Sequence, residues 1–447
     1  MSQNRLREKS LNYHRFPQPG KIATALTKAC GTQDELSLAY TPGVAVPCEA
    51  IYEDPDQVYD YTAKGNTVAV VSDGSAVLGL GRIGPAAAMP VMEGKAVLFK
   101  TFADVDAVPI CCRDVQAKDG RTIPERLIQL TAALEPTFGG INLEDIGSPA
   151  CFEIESELKS RMNVPVFHDD QHGTAIISLA GVINALKITG KKLSEARLVV
   201  SGAGAAGIAC TEFYIAAGLP RENVIICDSQ GAVYRGRENR MTPEKARLAA
   251  DTQARTLSEA LQGADIFLGL SIGNCVTKDM IASMAPHPIV FAMANPTPEI
   301  YPEEAMAGGA AVVGTGRTDF PNQVNNVLGF PGIFRGALDV RASDINENMK
   351  VAASKALAEI AEEEVPEDVR QYLGKAYPND ADAGMFEGES PLKKTYVIPK
   401  PFDPRVVPRV ARRVAEAAMQ DGVSRKKISD LESYESEVRN RTCPELS

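Results

Sequence analysis

Tryptophan is absent, which by itself decides nothing, and histidine is scarce, with four in 447 residues. So few imidazoles, and no H-E-x-x-H pattern, leave little material for a histidine-built metal site. The nine cysteines show no paired spacing; most sit inside apolar runs (Cys210, Cys227, Cys275), and only Cys111 and Cys112 are adjacent. They are expected to be reduced, mostly buried thiols of a cytoplasmic protein. No apolar run reaches the length of a membrane span, and the opening M-S-Q-N-R-L-R-E-K-S lacks the apolar centre of a signal peptide. Positive charge is in deficit: a net charge of −11 argues against nonspecific binding to nucleic acid or to an anionic membrane.

What is present is a globular composition and enough chain for two or three domains. The stretch Val164–Thr174, V-P-V-F-H-D-D-Q-H-G-T, reads as strand, acidic loop and helix: Val164–Phe167 is apolar, Asp169 and Asp170 follow, and Ala175–Leu186 is a long apolar segment. The pattern occurs once before, where Gly139–Leu143 runs into Glu144 and Asp145. A lone acidic pair would be read as a helix cap. Two pairs at two strand ends, where parallel sheets bind ligands, point instead to a hard divalent cation, Mg²⁺ or Mn²⁺, that offsets their repulsion. His168 and His172 share a helical face and would suit zinc, but with Gly173 following at once and no supporting motif, zinc is the weaker reading.

The N-terminal part carries a helix at Gln33–Leu38, then Tyr40 before a Thr-Pro-Gly turn, where a phenol can project into a cleft, although local sequence alone favours an ordinary core tyrosine. Strands are expected at Asn66–Val71 and, returning from a turn, at Ala76–Leu80. Gly79, Gly81, Arg82 and Gly84 then form a formal G-x-G-x-x-G that lacks a strand-to-helix setting, so it reads as a loop lining a cleft rather than a dinucleotide fingerprint. Ala86–Met92 looks helical. Lys95 precedes the apolar run Ala96–Phe99 and reads as a cation entering a buried strand, where desolvation lowers a lysine pKa and suits a general base; snorkelling to the surface is the plainer alternative. Val108–Cys112 (strand), Ile123–Leu134 (helix) and Cys151–Met162 (helix) lead back to the acidic stretch.

Downstream the chain changes character. Arg197–Ser201 opens into Gly202, Ala203, Gly204, Ala205, Ala206 and Gly207, an Ala-rich helix runs through Ala217, and a strand Asn223–Cys227 ends at Asp228. Asp228 follows Gly207 by about twenty residues, as the dinucleotide fingerprint requires. Gly202 makes the tight turn, Gly204 admits the pyrophosphate, and Gly207 allows close helix–strand packing. Asp228 facing the ribose suits NAD, while Arg235 and Arg237 just downstream could meet the 2′-phosphate of NADP. Further strands are expected at Ile266–Leu270, Ile289–Met293 and Ala311–Val313. Asn295 stands at a strand end, and Asn322, Asn325 and Asn326 form an amide-rich loop suited to a carboxylate, with turn formation the ordinary role of any one of them. Helices follow at Ile345–Glu363 and Pro408–Gln420, separated by a polar surface loop, Ala376–Lys394, and the charged tail Arg425–Ser447 is expected to be partly disordered. The fold class is α/β: an N-terminal α/β catalytic domain (1–162), a Rossmann-type doubly wound dinucleotide-binding domain (163–395), and C-terminal helices packing back (396–447).

Taken in order, L-A-Y-T-P-G-V-A, S-D-G-S-A-V-L-G-L-G, E-G-K-A, F-G-G-I-N-L-E-D-I, V-F-H-D-D-Q-H-G-T-A, G-A-G-A-A-G, A-N-P-T and F-P-N-Q-V-N-N-V resemble the motifs of malic enzymes, over Leu11 to about Ser424. The likeness is to the short bacterial type whose malic domain is often fused to a phosphotransacetylase-like domain. The resemblance implies oxidation of L-malate by NAD⁺ or NADP⁺ and decarboxylation to pyruvate with Mg²⁺ or Mn²⁺. It implies Glu144, Asp145 and Asp170 as metal ligands, Asp169 as the carboxylate that tunes the base, Lys95 as base for the malate hydroxyl, Tyr40 as acid toward C3, and Asn295 and Asn326 as contacts of the substrate carboxylate. It also implies a homodimer or larger homo-oligomer. One departure stands out: Ala76 occupies the place where larger relatives carry a malate-binding arginine, which leaves Arg82 or the metal to compensate. Competing readings are a metal-independent 2-hydroxy-acid dehydrogenase, a noncatalytic NAD(P)-binding regulator and a zinc hydrolase using His168 and His172.

Overall fold

A computed structural model of the chain describes residues 3–77, 79–388 and 390–446. It contains two parallel sheets. The first holds β1 (Thr67–Ser72), β2 (Asp106–Cys111), β3 (Gly140–Leu143) and β4 (Val166–His168), in the order β2-β1-β3-β4 with every pair parallel. β1, β3 and β4 are buried almost throughout, as expected where helices cover both faces, while the edge strand β2 is only half-buried, with Val108 exposed. The second holds β5 (Leu198–Ser201), β6 (Val224–Asp228), β7 (Gly231–Ala232), β8 (Ile266–Gly269), β9 (Ile289–Ala292) and β10 (Val312–Thr315), in the order β10-β9-β8-β5-β6-β7, with only β7 antiparallel. The chain leaves β5 in one direction to β6 and returns on its other side at β8, which places the topological switch point between β5 and β8.

The helix Asp169–Thr189 joins the sheets. By length and composition it could cross a membrane, contrary to the first impression from the sequence, but most of its side chains are buried in the core instead. It begins at the tip of β4 and packs on the nucleotide-side helix Ala205–Ala216 and on the C-terminal helix Glu347–Glu362. β4 lies past the boundary drawn from the sequence at residue 162, yet it pairs with β3 of the first sheet. One continuous core runs across both sheets. In it Phe99 stacks edge-on against Phe330 at 4.8 Å and Phe334 at 5.2 Å.

Five sequence expectations are corrected. Leu78 lies outside the described residues, and among the described residues of 76–80 there is no strand: Val77 bridges only to Gly81 across a turn. Lys95 does not enter a strand but stands in the helix Pro85–Ala103, whose buried residues Ala88, Met92, Ala96, Phe99 and Ala103 follow helical spacing; packing of this stripe carries the helix past Met92 and through Gly94. The acidic "loop" is the first turn of the helix Asp169–Thr189: His168 stands at the N-cap without a side-chain cap bond, and Asp169 and Asp170 place their charge at the positive end of the helix rather than capping it. The tail forms the helix Leu431–Thr442, anchored by Tyr434 Oη on Asp339 (2.8 Å) and by Arg441 Nε on Asp104 (2.5 Å). The polar insert likewise holds a short helix, Pro378–Asp382, and buries Met385 and Phe386.

Candidate active site

Two strand tips and one helix start converge. Glu144 and Asp145 leave β3, and Asp169 and Asp170 open the helix after β4, the strand beside it. Glu144, Asp145 and Asp170 each offer a carboxylate oxygen, and these lie within 4.8 Å of one another. The backbone N–H of Asp145 donates to Asp170 Oδ2 at 2.8 Å, which fastens one strand tip to the other. The donor set consists of hard oxygens alone, the chemistry that Mg²⁺ and Mn²⁺ select.

Lys95 reaches this cluster from the helix Pro85–Ala103. Its Nζ lies 2.6 Å from Asp169 Oδ2 and 2.9 Å from Glu144 Oε1, with the side chain 10% exposed and the ammonium 4.3 Å from the centre of the Phe330 ring. Burial disfavours the ammonium, but Asp169 and Glu144 outweigh it and hold the Lys95 pKa above its ordinary value, the reverse of the lowered pKa expected from burial in a strand. Glu144 is pushed well above the usual carboxylate range, first by burial and then by Asp170, Asp169 and Asp145, with Lys95 pulling the other way. One ammonium against four clustered carboxylates leaves an excess of negative charge that a divalent cation would offset. Asn326 Nδ2 also donates to Asp169 Oδ2 at 3.2 Å, while its Oδ1 accepts from Thr174 Oγ1 at 3.2 Å.

Other expected site residues lie elsewhere. Tyr40 caps the exposed helix Gln33–Ala39 and is itself 70% exposed. Asn295 stands exposed at the end of β9, its Nδ2 3.4 Å from Gly316 O. Gly79, Gly81 and Gly84 all adopt positive φ in a loop beside Arg82, and Arg82 faces a cavity of about 790 Å³ shared with Arg121 and Arg247, whose lining omits the four carboxylates. Of the amide-rich loop, Asn322 braces Val313 O, Lys394 O and Val397 N, and Asn325 caps the turn that follows; only Asn326 reaches the acids. His172 accepts from Lys350 at Nδ1 (3.2 Å), so its Nε2 proton goes to Glu155 at 2.8 Å, and the ring faces the core rather than a zinc site.

At the second sheet the G-A-G-A-A-G segment behaves as its glycines require. A Cβ on Gly207 would lie 1.7 Å from Gly202 O, whereas one on Gly204 would meet nothing within 4 Å. Gly204 therefore leaves room at the N-terminus of the helix Ala205–Ala216, which has no side-chain cap of its own and offers its N–H groups to a pyrophosphate. Asp228 ends β6, but its carboxylate already accepts from Arg237 Nη2 at 2.7 and 2.8 Å and from Lys245 Nζ at 2.7 Å. Burial would raise the Asp228 pKa; these cations hold it below the ordinary value.

The sequence reading missed Asn142, whose Nδ2 donates to Glu144 Oε2 at 2.9 Å, and Phe330 beneath Lys95. A polar residue inside the buried run G-G-I-N-L was the available signal for Asn142. Nothing local marked Phe330.

Comparison with known proteins agrees with this geometry. Residues 19–159 match the family described as "Malic enzyme, N-terminal domain", and residues 171–374 match "Malic enzyme, NAD binding domain". An NADP-dependent malic enzyme of Rhizobium meliloti is 52% identical over 98% of this chain and 55% of its own length; this chain thus spans about half of that relative. The bifunctional malic/malolactic enzyme of Bacillus subtilis is 50% identical over 96% of this chain and 97% of its own. The crystal structure of a malic enzyme from Pyrococcus horikoshii superposes with a TM-score of 0.86 at 44% identity, over 98% of this chain and 96% of that one. The chain, with its acidic cluster at the tips of one sheet and its dinucleotide fingerprint on the other, belongs to the malic enzyme family.

Proposed function

We propose that this chain oxidises L-malate at C2 with NAD(P)⁺ and decarboxylates it to pyruvate, with Mg²⁺ or Mn²⁺ held by Glu144, Asp145 and Asp170. The observation that carries the reading is the meeting of these three carboxylates beside the Lys95–Asp169 pair. The nicotinamide would supply the hydride acceptor, and the cation a Lewis acid at the C2 oxygen. The remaining steps fall to the chain. Lys95, whose ammonium first passes a proton to the hydrogen-bonded Asp169 carboxylate, takes the hydroxyl proton at Nζ, and Asp169 keeps that atom in place. Asn326, fixed by Thr174, and Asn295 offer amide N–H groups to the substrate carboxylate. Tyr40 delivers a proton to C3 after CO₂ leaves.

Tyr40 sits on an N-terminal arm rich in exposed apolar side chains, among them Leu36, Leu38, Val46 and Tyr52. A homodimer that covers this arm would bury these residues and give Tyr40 a route into a catalytic site. If sites are shared in this way, a mixture of the Lys95→Ala and Tyr40→Phe proteins regains activity that neither has alone; a mixture as inactive as its parts would refute sharing.

We further infer a preference for NADP. Asp228 is occupied by Arg237 and Lys245, and Arg240 holds the neighbouring Ser229 Oγ at 3.1 Å, so two cations pair with the one carboxylate at the ribose end and a third holds the next residue. That balance favours a 2′-phosphate over a bare ribose. Steady-state kinetics with malate, comparing NADP⁺ with NAD⁺ before and after chelation and with Mn²⁺ restored, tests the whole reading. Malate oxidation undiminished by chelation would favour the metal-independent dehydrogenase instead, and Lys245→Gln should narrow the NADP advantage.

A further inference from the structure

Among the buried carboxylates that the scheme above leaves unused, Asp73 stands nearest in sequence to the loop that meets the acidic cluster. Asp73, in the S-D-G-S segment after β1, is 0% exposed, and no ion pair to it occurs among the described residues. Its charge is met by hydrogen bonds: Oδ1 accepts from Ser75 N at 3.0 Å, and Oδ2 accepts from Thr122 Oγ1 at 2.6 Å. Because the Thr122 proton is given to Asp73, the 2.9 Å contact between the two hydroxyls runs from Ser75 to Thr122. Ser75 Oγ in turn accepts from Gly147 N at 2.8 Å. Every proton in this chain of bonds is oriented by the carboxylate at its end.

The chain of bonds ends beside a metal ligand. Asp145 has φ +54, a left-handed conformation that L residues rarely hold unless their surroundings impose it. Its carbonyl accepts from Ala76 N at 3.0 Å, and Gly147, two residues on, is the group tied to Ser75. Residues 75 and 76 thus grip the Asp145–Gly147 turn from one side, while Asp170 grips Asp145 N from the other.

We propose that Asp73, Thr122 and Ser75 are positioning residues that hold Asp145 in its left-handed turn and thereby set the divalent-cation affinity of the site. The proposal rests on Glu144, Asp145 and Asp170 being the metal ligands. The partners that orient a metal's ligands typically carry 10–100-fold in affinity.

The test is Mn²⁺ binding to the purified full chain without malate, followed by electron paramagnetic resonance of the free ion, alongside NADPH binding followed by fluorescence. Thr122→Val keeps the shape and removes the hydroxyl, and Ser75→Ala removes the next link; each should weaken Mn²⁺ binding about tenfold or more with NADPH binding unchanged. Thr122→Ser retains the hydroxyl and should bind Mn²⁺ within about twofold of the parent, a rescue that a loss of packing alone would not give. Thr122→Val and Ser75→Ala proteins that bind Mn²⁺ as tightly as the parent would overturn the relay while leaving the metal site standing. Parallel loss of NADPH and Mn²⁺ binding would also overturn it, as general loosening. A parent protein that binds no Mn²⁺ would remove the metal reading, and the relay with it.

Discussion

Gly173 is the position where activity and stability should part most cleanly. It lies inside the helix Asp169–Thr189, where exchanging Gly for Ala ordinarily adds about 1 kcal/mol of helix propensity. Here the added Cβ would stand 2.4 Å from Asp169 Oδ1 and 2.7 and 2.8 Å from the amide carbon and nitrogen of Asn326. Ordinary carbon contacts sit near 3.5–4.0 Å, so both side chains must retreat by roughly 1 Å. Asp169 holds Lys95, and Asn326 is an expected carboxylate contact, so the retreat falls on the proposed catalytic groups rather than on the core. A displacement of that size at reacting groups costs on the order of 100-fold in rate. Gly173→Ala should therefore lower kcat/KM for malate by about 100-fold, while the propensity gain and the clash nearly cancel in thermal stability. Steady-state kinetics and thermal unfolding on the same preparation decide the matter. Parent-like kcat/KM would refute the reasoning, because the geometry leaves no room for the methyl without moving Asp169 or Asn326.

Lys95→Ala should remove nearly all turnover, by at least about 1,000-fold, with the circular dichroism of the fold retained; a fast variant would remove Lys95 from the base role. Tyr40→Phe should do the same to pyruvate release, and because the change removes only a hydroxyl and keeps the ring, the unfolding temperature should not move. The Lys95 pKa is raised in the folded protein, so its ion pairs stabilise fully below the unfolded value of about 10.4 and that contribution is lost as pH rises through the higher folded value. Metal-free parent protein should accordingly lose more stability than Lys95→Ala on the alkaline side in urea titrations; identical alkaline slopes would contradict this. Gly181→Ala, whose Cβ would meet Ile398 at 2.7 Å and Phe291 of β9 at 2.8 Å, should cost about 1–3 kcal/mol of stability as overpacking, measurable by urea unfolding.

The features that could be read from sequence were those whose chemistry is local. Paired acids at the ends of apolar runs announce themselves, because carboxylates rarely crowd without a reason, and the glycine spacing of 202–207 is dictated by contacts within one turn. Lys95 was misplaced because Ala-Val-Leu-Phe after it suits a buried strand or a helix equally; the choice is made by a stripe that extends back to Ala88 and forward to Ala103. The relay from Asp73 to Gly147 was illegible for a different reason. It joins three loops far apart in the chain, and no short pattern marks a serine that will meet a threonine 47 residues away. The tail was read as loose because its charges outnumber its apolar groups, yet those charges meet partners such as Asp104 across the molecule.

The same division explains why the central stretch carried so much information. The helix Asp169–Thr189 starts with the two acids at the tip of the first sheet, and it packs on the helix Ala205–Ala216, at whose N-terminus Gly204 leaves room for a pyrophosphate. One rigid element thus sets the distance between the proposed metal ligands and the dinucleotide crevice. It does so with residues whose small size is forced: Gly173 against Asp169 and Asn326 at one end, Gly181 against Phe291 near the middle. A loop could not hold that spacing, since in the proposed reaction hydride transfer and the polarising cation would act on adjacent atoms of one small substrate. The helix is apolar along its length because it is buried against both units, and acidic at its start because that end alone reaches the cluster.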